Sequence, residues 1–425
     1  MHSCRPDLVV ALSDIPSAPP HSQKRITKSL ERSISWLSTL MEPFPALLSN
    51  SLPDQFHPLK ILVHMSGHTN PAARHAFANS LMETLSGKEA EQLRPLKRLD
   101  DGLLGYSFDL VPLRASLIPT ARSVSETIEM ESSSIRRSYE GRHFQQPFSS
   151  IPEIASLIKI SLEPLPMEKP RVVTGTSSPH EVLCLIRDIG IDFFDITWAQ
   201  KAADWGIALD FSFPVPVMDC TGNVSRPTRR ADGKSDLGHN LYLPQYASDF
   251  SRLSSHYSDR ASASTSDHDS TLCPCIACSP VTPSSSKELT YDPPFTRAYV
   301  HHLLHTHEMS AHALLTAHNL SVTEAFFSSI RNLLEVEFLS QSDDTKVSTE
   351  AMDNTSLSFS KEIERFNDVY DIQLRVFEEA RMEWMTVDFA RGKGRLAREK
   401  AKQDEAVKAS SVKNDTNPSE NVLGN

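Results

Sequence analysis

RVVTGTSSPHEVLCLIRDIGIDFFDITWAQKAADWGIALDFSF, residues 171–213, carries the pattern on which the fold turns. RVVT (171–174) is a β-branched run closed by Gly175, which suits a buried strand. HEVLCLIRDI (180–189) repeats its apolar residues at three- and four-residue spacing, the signature of a helix with one face inward. IDFF (191–194) and GIALDFS (206–212) read as strands again. Strand, helix and strand in so short a space form a parallel unit, because parallel neighbours need a crossover between them. The alternation extends upstream. Strands are expected at 7–12, 60–65 and 102–109, and helices at 23–42, 71–86 and 151–161. The chain is therefore read as α/β, with a parallel sheet or a barrel.

A chain of 425 residues, 39% hydrophobic and 23% charged, can bury a large core in one barrel-sized domain or in two smaller ones. Its formal net charge of −11 excludes an overall polycation, so nucleic-acid binding would need a local basic patch. The run Leu8 to Leu12 is too short for a secretory signal, and nowhere do 18 apolar residues follow one another. A soluble intracellular chain without an integral membrane segment is expected. Two stretches, 115–150 and 222–290, have the polar composition of mobile insertions that bury little. Residues 296–335 read as strongly helical, and a further helix is expected over 359–390. The basic run Arg391 to Lys402 and the polar tail to Asn425 read as a solvated, partly disordered end.

Six cysteines (Cys4, Cys184, Cys220, Cys273, Cys275 and Cys278) are too few for a disulfide scaffold, yet three of them fall within six residues. The Cys-x-Cys-x-x-Cys spacing of CPCIAC can bring three thiolates to one metal from a single loop, and structural zinc takes four such ligands in a tetrahedron. The helical stretch downstream offers His301, His302, His305, His307, His312 and His318 for the fourth place. Spacing alone does not choose among them. Four protein ligands leave no position for water, so this site is read as holding structure rather than performing chemistry.

CPCIAC, followed by TRAYVHHL (Thr296 to Leu303) and EMSAHALLTAHNL (Glu308 to Leu320), resembles the zinc-binding region of the tRNA-guanine transglycosylase family. PDLVVALSD (Pro6 to Asp14), KSLERSISWL (Lys28 to Leu37), VTGTSSPHEVL (Val173 to Leu183) and GIDFFD (Gly190 to Asp195) follow in that family's order. The resemblance implies a (β/α)₈ TIM-type barrel over residues 6–335 with a zinc-binding subdomain at 270–335. Residues 336–425 would form a C-terminal helix and tail. It implies one structural Zn²⁺ per subunit on Cys273, Cys275, Cys278 and His318, the histidine of the family's His-Asn-Leu step.

Enzymes of this family exchange a guanine in the tRNA anticodon, using one aspartate as nucleophile and another as general base. Asp195 stands at the nucleophile position, but Ile196, Thr197, Trp198, Ala199, Gln200 and Lys201 replace the loop that would embrace the nucleotide. Ser13 stands where the family has its base-recognition aspartate, and Asp14 would point to the other face of the strand. Met65 replaces an amide that reads the base, and the family's Gly-Gly-Leu turn is altered around Gly105 to Phe108. The segment bearing the general base precedes the family's counterpart of PDLVVAL, so the barrel is expected to lack its first strands.

These departures resemble the accessory, non-catalytic branch of the family. The branch implies a heterodimer with a catalytic queuine tRNA-ribosyltransferase subunit, acting on tRNA with a GUN anticodon, where queuine replaces guanine at the wobble position. It also implies a cytoplasmic location, with peripheral association at the mitochondrial outer membrane as a further expectation. TRAYVHHLLHTHEMSAHALL (296–315) mixes apolar anchors and histidines that suit either a partner surface or internal packing. Two other readings stand beside this one: an active transglycosylase using Asp195, and a zinc-stabilised barrel fragment with another binding role.

Overall fold

The computed structural model describes residues 6–16, 21–42, 59–117, 151–216, 227–254, 273–278, 295–342 and 358–387. Five strands, β1 (Val9–Val10), β2 (Ile61–His64), β3 (Leu103–Asp109), β4 (Arg171–Thr174) and β5 (Phe193–Phe194), form one parallel sheet. They lie side by side in chain order. A doubly wound sheet reverses its order at a switch point, whereas sequential order is the winding of a TIM-type fold. The crossovers carry helices α1 (Gln23–Met41), α2 (Pro71–Met82), α3 (Gly87–Gln92), α4 (Leu110–Leu117), α5 (Ile151–Leu162) and α6 (Pro179–Ile189). The parallel α/β alternation read from the sequence is present, although β1 and β5 are shorter than expected.

Local chemistry sets the helix ends. In α6, Ser178 accepts the Glu181 N–H, Pro179 opens the first turn, and Gly190 closes the helix in the left-handed region at φ 72°. Glu181 reaches back to the Ser177 N–H at 2.7 Å and takes both of its 2.8 Å bonds from Arg114, which joins the helix to α4. Helix α1 turns Ile26, Ser29, Ser33 and Leu37 inward at helical spacing. With α2 and α5 it covers a core of Leu37, Val63, Phe77, Leu81, Phe108, Ile154 and Val173.

The end of β1 is fastened to α1 by charge. The Asp14 carboxylate accepts two hydrogen bonds from Arg25, at 2.7 and 2.8 Å, and one from Arg32 at 3.0 Å. Hydrogen bonding to Arg25 holds its acid group below the usual carboxylate range. A depressed folded-state value stabilises the fold above the unfolded carboxylate's pKa of about 3.9, and that contribution fades as pH falls through the lower folded value. Asp14→Asn should therefore lower the thermal midpoint at pH 7 and leave it unchanged at pH 2. An equal deficit at both values would show that the carboxylate's charge is not what matters.

Beyond β5 the outcome departs from the sequence reading. Helix α7 (Thr197–Asp204) leads into β6 (Ile207–Leu209), which pairs antiparallel with β7 (Gly238–Asn240) in a separate two-stranded sheet. The stretch 206–212 was expected to extend the parallel alternation. Its second edge is instead occupied by side chains: Asn319 holds the Leu209 N–H and the Ile207 carbonyl, and His318 donates to the Leu209 carbonyl. With those backbone groups satisfied, no ladder partner is required there.

The described part of 222–290 also differs from a loop that buries little. Leu237, Leu241, Tyr242, Tyr246 and Leu253 are buried. The charges of 227–236 are paired with the C-terminal helices, Arg230 with Asp236 and Glu379, and Arg375 with Asp232 and Asp371. Residues 296–335 divide into α8 (Arg297–His305) and α9 (Met309–Ser342), separated by His307 in the left-handed region at φ 61°. The helix expected over 359–390 likewise divides, into α10 (Phe359–Val369) and a helix over 375–387. Between them the Asp371 N–H donates to Ser235, and the Asp371 carboxylate caps the helix that follows. An aromatic core of Trp198, Phe211, Phe213, Phe326, Phe366 and Phe377 joins α7, β6, α9 and α10. Residues 118–150, 255–272 and 388–425, with the basic run 391–402, lie outside the described residues. Among the described residues no helix is long and apolar enough to cross a membrane.

Candidate metal centre and the recess above the parallel sheet

The loop 273–278 turns on itself through the Cys278 N–H, which donates to the Cys275 carbonyl at 3.0 Å. This aims Cys273, Cys275 and Cys278 at one point, where His318 arrives from the third turn of α9. The Sγ atoms of Cys273, Cys275 and Cys278 lie 3.6, 3.8 and 3.4 Å from His318 Nδ1. Zn–S bonds of about 2.3 Å and Zn–N bonds of about 2.0 Å meeting at a tetrahedral angle give an S to N edge of about 3.6 Å. All four residues are buried, and their donor atoms lie within 4.8 Å of one another, so the group can hold a metal ion. Ala208, Leu253, Val300, Leu304, Ala311 and Leu315 surround it with apolar atoms.

Hydrogen bonding presets the donors. His318 Nε2–H donates to the Leu209 carbonyl at 2.9 Å, which leaves the Nδ1 lone pair facing the thiols. Without a cation the three sulfurs share too little charge stabilisation. The Cys273 thiol is held well below its usual range by hydrogen bonds from Cys275 and Cys278, while hydrogen bonding with Cys273 and Cys275 pushes the Cys278 thiol up. A positive ion removes this conflict by letting all three ionise together.

The other histidines do different work. His301 and His312 donate to the Leu241 and Ala203 carbonyls at 2.8 and 3.2 Å, and His305 to the Tyr242 carbonyl at 3.1 Å. His302 and His307 are exposed. Most of α8's apolar face is internal packing through Ala298, Val300, Leu303 and Leu304, whereas Tyr299, stacked on Phe295 at 5.5 Å, and Met309 remain exposed. Sequence reasoning missed Asn319, although it sits within the quoted His-Asn-Leu step.

The second place to inspect is the mouth of the sheet at the carboxyl ends of β1, β2 and β3, where folds of this winding keep their chemistry. Ser13, Met65, Ser66, Phe108 and Asp109 line a recess of about 30 Å³ there. At about 10–15 Å³ per water, that is space for two or three waters, and no fused two-ring base fits. Met65 is buried, and the Ser13 and Ser66 hydroxyls bond each other at 2.6 Å across the opening. Asp14 is turned away to α1, as its ion pairs show. Gly105 to Phe108 form part of β3.

Asp195 lies at the end of β5, and its carboxylate is already committed. Oδ2 accepts the Gly175 N–H at 2.8 Å and the Thr197 hydroxyl at 2.6 Å, and Oδ1 accepts the Thr176 hydroxyl at 3.3 Å. It ties the turn after β4 to the start of α7.

Residues 138–347 match the family model described as queuine tRNA-ribosyltransferase. A protein of Danio rerio named queuine tRNA-ribosyltransferase accessory subunit 2 is 28% identical over 197 residues, which are 42% of this chain and 40% of that protein. The Homo sapiens protein of the same name is 29% identical over 195 residues, 42% of this chain and 39% of its own length. The match to the Schizosaccharomyces pombe protein of that name extends over 331 residues at 24% identity, 77% of this chain and 49% of the relative. The chain spans less than half the length of each of these relatives. The buried Cys₃His group and the small recess are thus found in a chain that is similar, over part of its length, to queuine tRNA-ribosyltransferases and to proteins named accessory subunit 2 in particular.

Proposed function

We propose that this chain acts as the non-catalytic accessory subunit of a queuine tRNA-ribosyltransferase, pairing with a catalytic subunit for exchange of guanine by queuine at the wobble position of GUN-anticodon tRNA. The observation that carries the reading is the mouth of the sheet. The family's base-reading positions are held by Ser13 and buried Met65 over a recess too small for a purine, and the nucleophile position is held by a carboxylate engaged in three hydrogen bonds. The names of the relatives support the pairing.

Zinc is the metal we assign to Cys273, Cys275, Cys278 and His318. Three thiolates and an imidazole suit it, the S to N spacings suit its tetrahedron, and the apolar jacket suits a structural ion. When bound, the ion supplies cross-linking of the 273–278 loop to α9 and β6. This chain's own residues do the rest: His318 fixes the donor orientation and Asn319 fixes β6. The barrel reading, residues 6–335 with the subdomain at 270–335, is supported by the sequential parallel order of β1 to β5. Exposed Tyr299, stacked on the half-buried Phe295, and exposed Met309 are the surface we assign to the catalytic partner, in a cytoplasmic complex.

The test is reconstitution with the catalytic subunit and labelled queuine. The chain alone should exchange no base into GUN-anticodon tRNA, while the mixture should co-purify and exchange. Asp195→Ala should leave exchange by the pair within about twofold and lower the chain's stability by about 1–3 kcal/mol through the lost hydrogen bonds. Loss of exchange by a folded Asp195→Ala pair, or exchange by the chain alone, would restore the catalytic reading.

A further inference from the structure

The recess above β1 to β3 is too small for a base, yet its walls are not those of a closed apolar plug. Arg74, on α2, is 4% exposed and lines it. Its described partners are neutral oxygens, the His68 carbonyl and the Ser161 hydroxyl, and it has no carboxylate in ion-pair contact among the described residues. Burying a guanidinium without a counter-charge is costly enough that such groups are normally paired. His64, on β2, lines the same wall and has both ring nitrogens buried without a partner. One wall of this small space thus carries an imidazole with both nitrogens unbonded and a buried guanidinium without a counter-charge among the described residues.

The remaining lining carries both signs. The Ser13 and Ser66 hydroxyls bond each other there, and Ser66 donates on to Ser33 at 3.3 Å. Asp14 lines the recess but is matched by Arg25 and Arg32. Asp109 is the other acid there, with Oδ1 already accepting the Val111 N–H at 2.9 Å. Arg25 and Arg32 stand outside the lining, so with Asp14 matched by them the lining itself sets Arg74 against Asp109.

We propose that this recess is an oxyanion site, taking the oxygens of a phosphoryl group against Arg74, His64 and the Ser13 and Ser66 hydroxyls. Its volume admits two or three oxygens, with the rest of the group in the open mouth. The presence of Asp109 sets the expected affinity at about millimolar rather than tighter. The phosphoryl group can be free phosphate or a phosphodiester of RNA. The proposal stands whether or not the pairing with a catalytic subunit does, because it concerns this chain alone.

The test uses the full chain with its metal, titrated with inorganic phosphate and with chloride at matched ionic strength, read by calorimetry and thermal melting. Phosphate should raise the melting midpoint and chloride should not. Arg74→Met, of similar length and uncharged, should weaken phosphate binding by about tenfold or more while melting no lower than the wild type in chloride. If Arg74→Met does not fold, His64→Phe removes both ring nitrogens in a similar shape and should weaken phosphate in the same direction. Displacement of phosphate by a short oligoribonucleotide would identify an RNA phosphodiester as the source, and failure to displace would identify the free ion. Equal responses of wild type and variants, or none in the wild type, would overturn the site.

Discussion

Cys275→Ser is expected to strip the metal from the chain and to lower its stability by more than about 4 kcal/mol, a loss in the range of removed structural metals. Residues 273–278 make one described backbone turn of their own, Cys278 to Cys275, and are joined to α9 through the donor group itself. Serine keeps the size of the side chain but offers a hydroxyl that stays protonated and binds zinc weakly. Cys273, Cys278 and His318 then offer the ion one donor too few for its tetrahedron. Metal content per chain and the thermal midpoint should fall together, and treating the wild type with a chelator should reproduce the variant. Cys184 is the control. It is a buried thiol on α6, remote from the donor group, so Cys184→Ser should keep one equivalent of metal. A Cys275→Ser chain that retained one zinc and the wild-type midpoint would refute the ligand set.

The parts of the fold legible in the sequence are those whose signal is local. RVVT reads as β4 over the same four residues in which it forms, because a β-branched run closed by Gly175 carries its own boundary. Helix α6 is legible from Ser178, Pro179 and Gly190 at its ends. Strand β6 is a different case. The sequence shows its apolar run, but its partner β7 lies about thirty residues on, and the side chain that seals its other edge comes from residue 319. Helix α7 carried a signal that went unread, the spacing of Trp198, Ala199, Ala202 and Ala203, all buried. The segment around Arg229 and Arg230 looked solvated because its charges are read one at a time, whereas in the fold Arg230 meets Asp236 and Glu379. The three cysteines were legible from spacing alone. The choice of histidine was not, since all six lie within eighteen residues on α8, α9 and the turn between them, and what singles out His318 is the direction of its ring between Leu209 and the sulfurs.

The second large effect is expected at Asn319, which touches no donor atom of the metal group. Its side chain is fully buried and makes three hydrogen bonds to backbone: Oδ1 accepts the Leu209 N–H at 2.9 Å, and Nδ2 donates to the carbonyls of Ile207 at 3.0 Å and Ala199 at 3.2 Å. These bonds stand in for a neighbouring strand and also hold α7 to β6. Asn319→Ala strands one N–H and two carbonyls in a buried place, at about 1–3 kcal/mol each, so a loss on the order of 3–6 kcal/mol is expected. Water entering the vacated space would bring the value to the lower end. Asn319→Asp should do no better, because it keeps the acceptor for Leu209 while setting a carboxylate against two carbonyl oxygens. The effect should also reach the metal. Leu209 accepts from His318 through its carbonyl and donates to Asn319 through its N–H, so loosening β6 moves the group that orients the imidazole. Such outer partners tune affinity by about 10–100-fold, and Asn319→Ala should weaken metal binding within that range. Urea unfolding with metal in excess reads the first effect, and competition with a chelator under native conditions reads the second. A variant with the wild-type urea midpoint and chelator competition would mean that β7 alone holds β6, and that His318 keeps its direction without the strand.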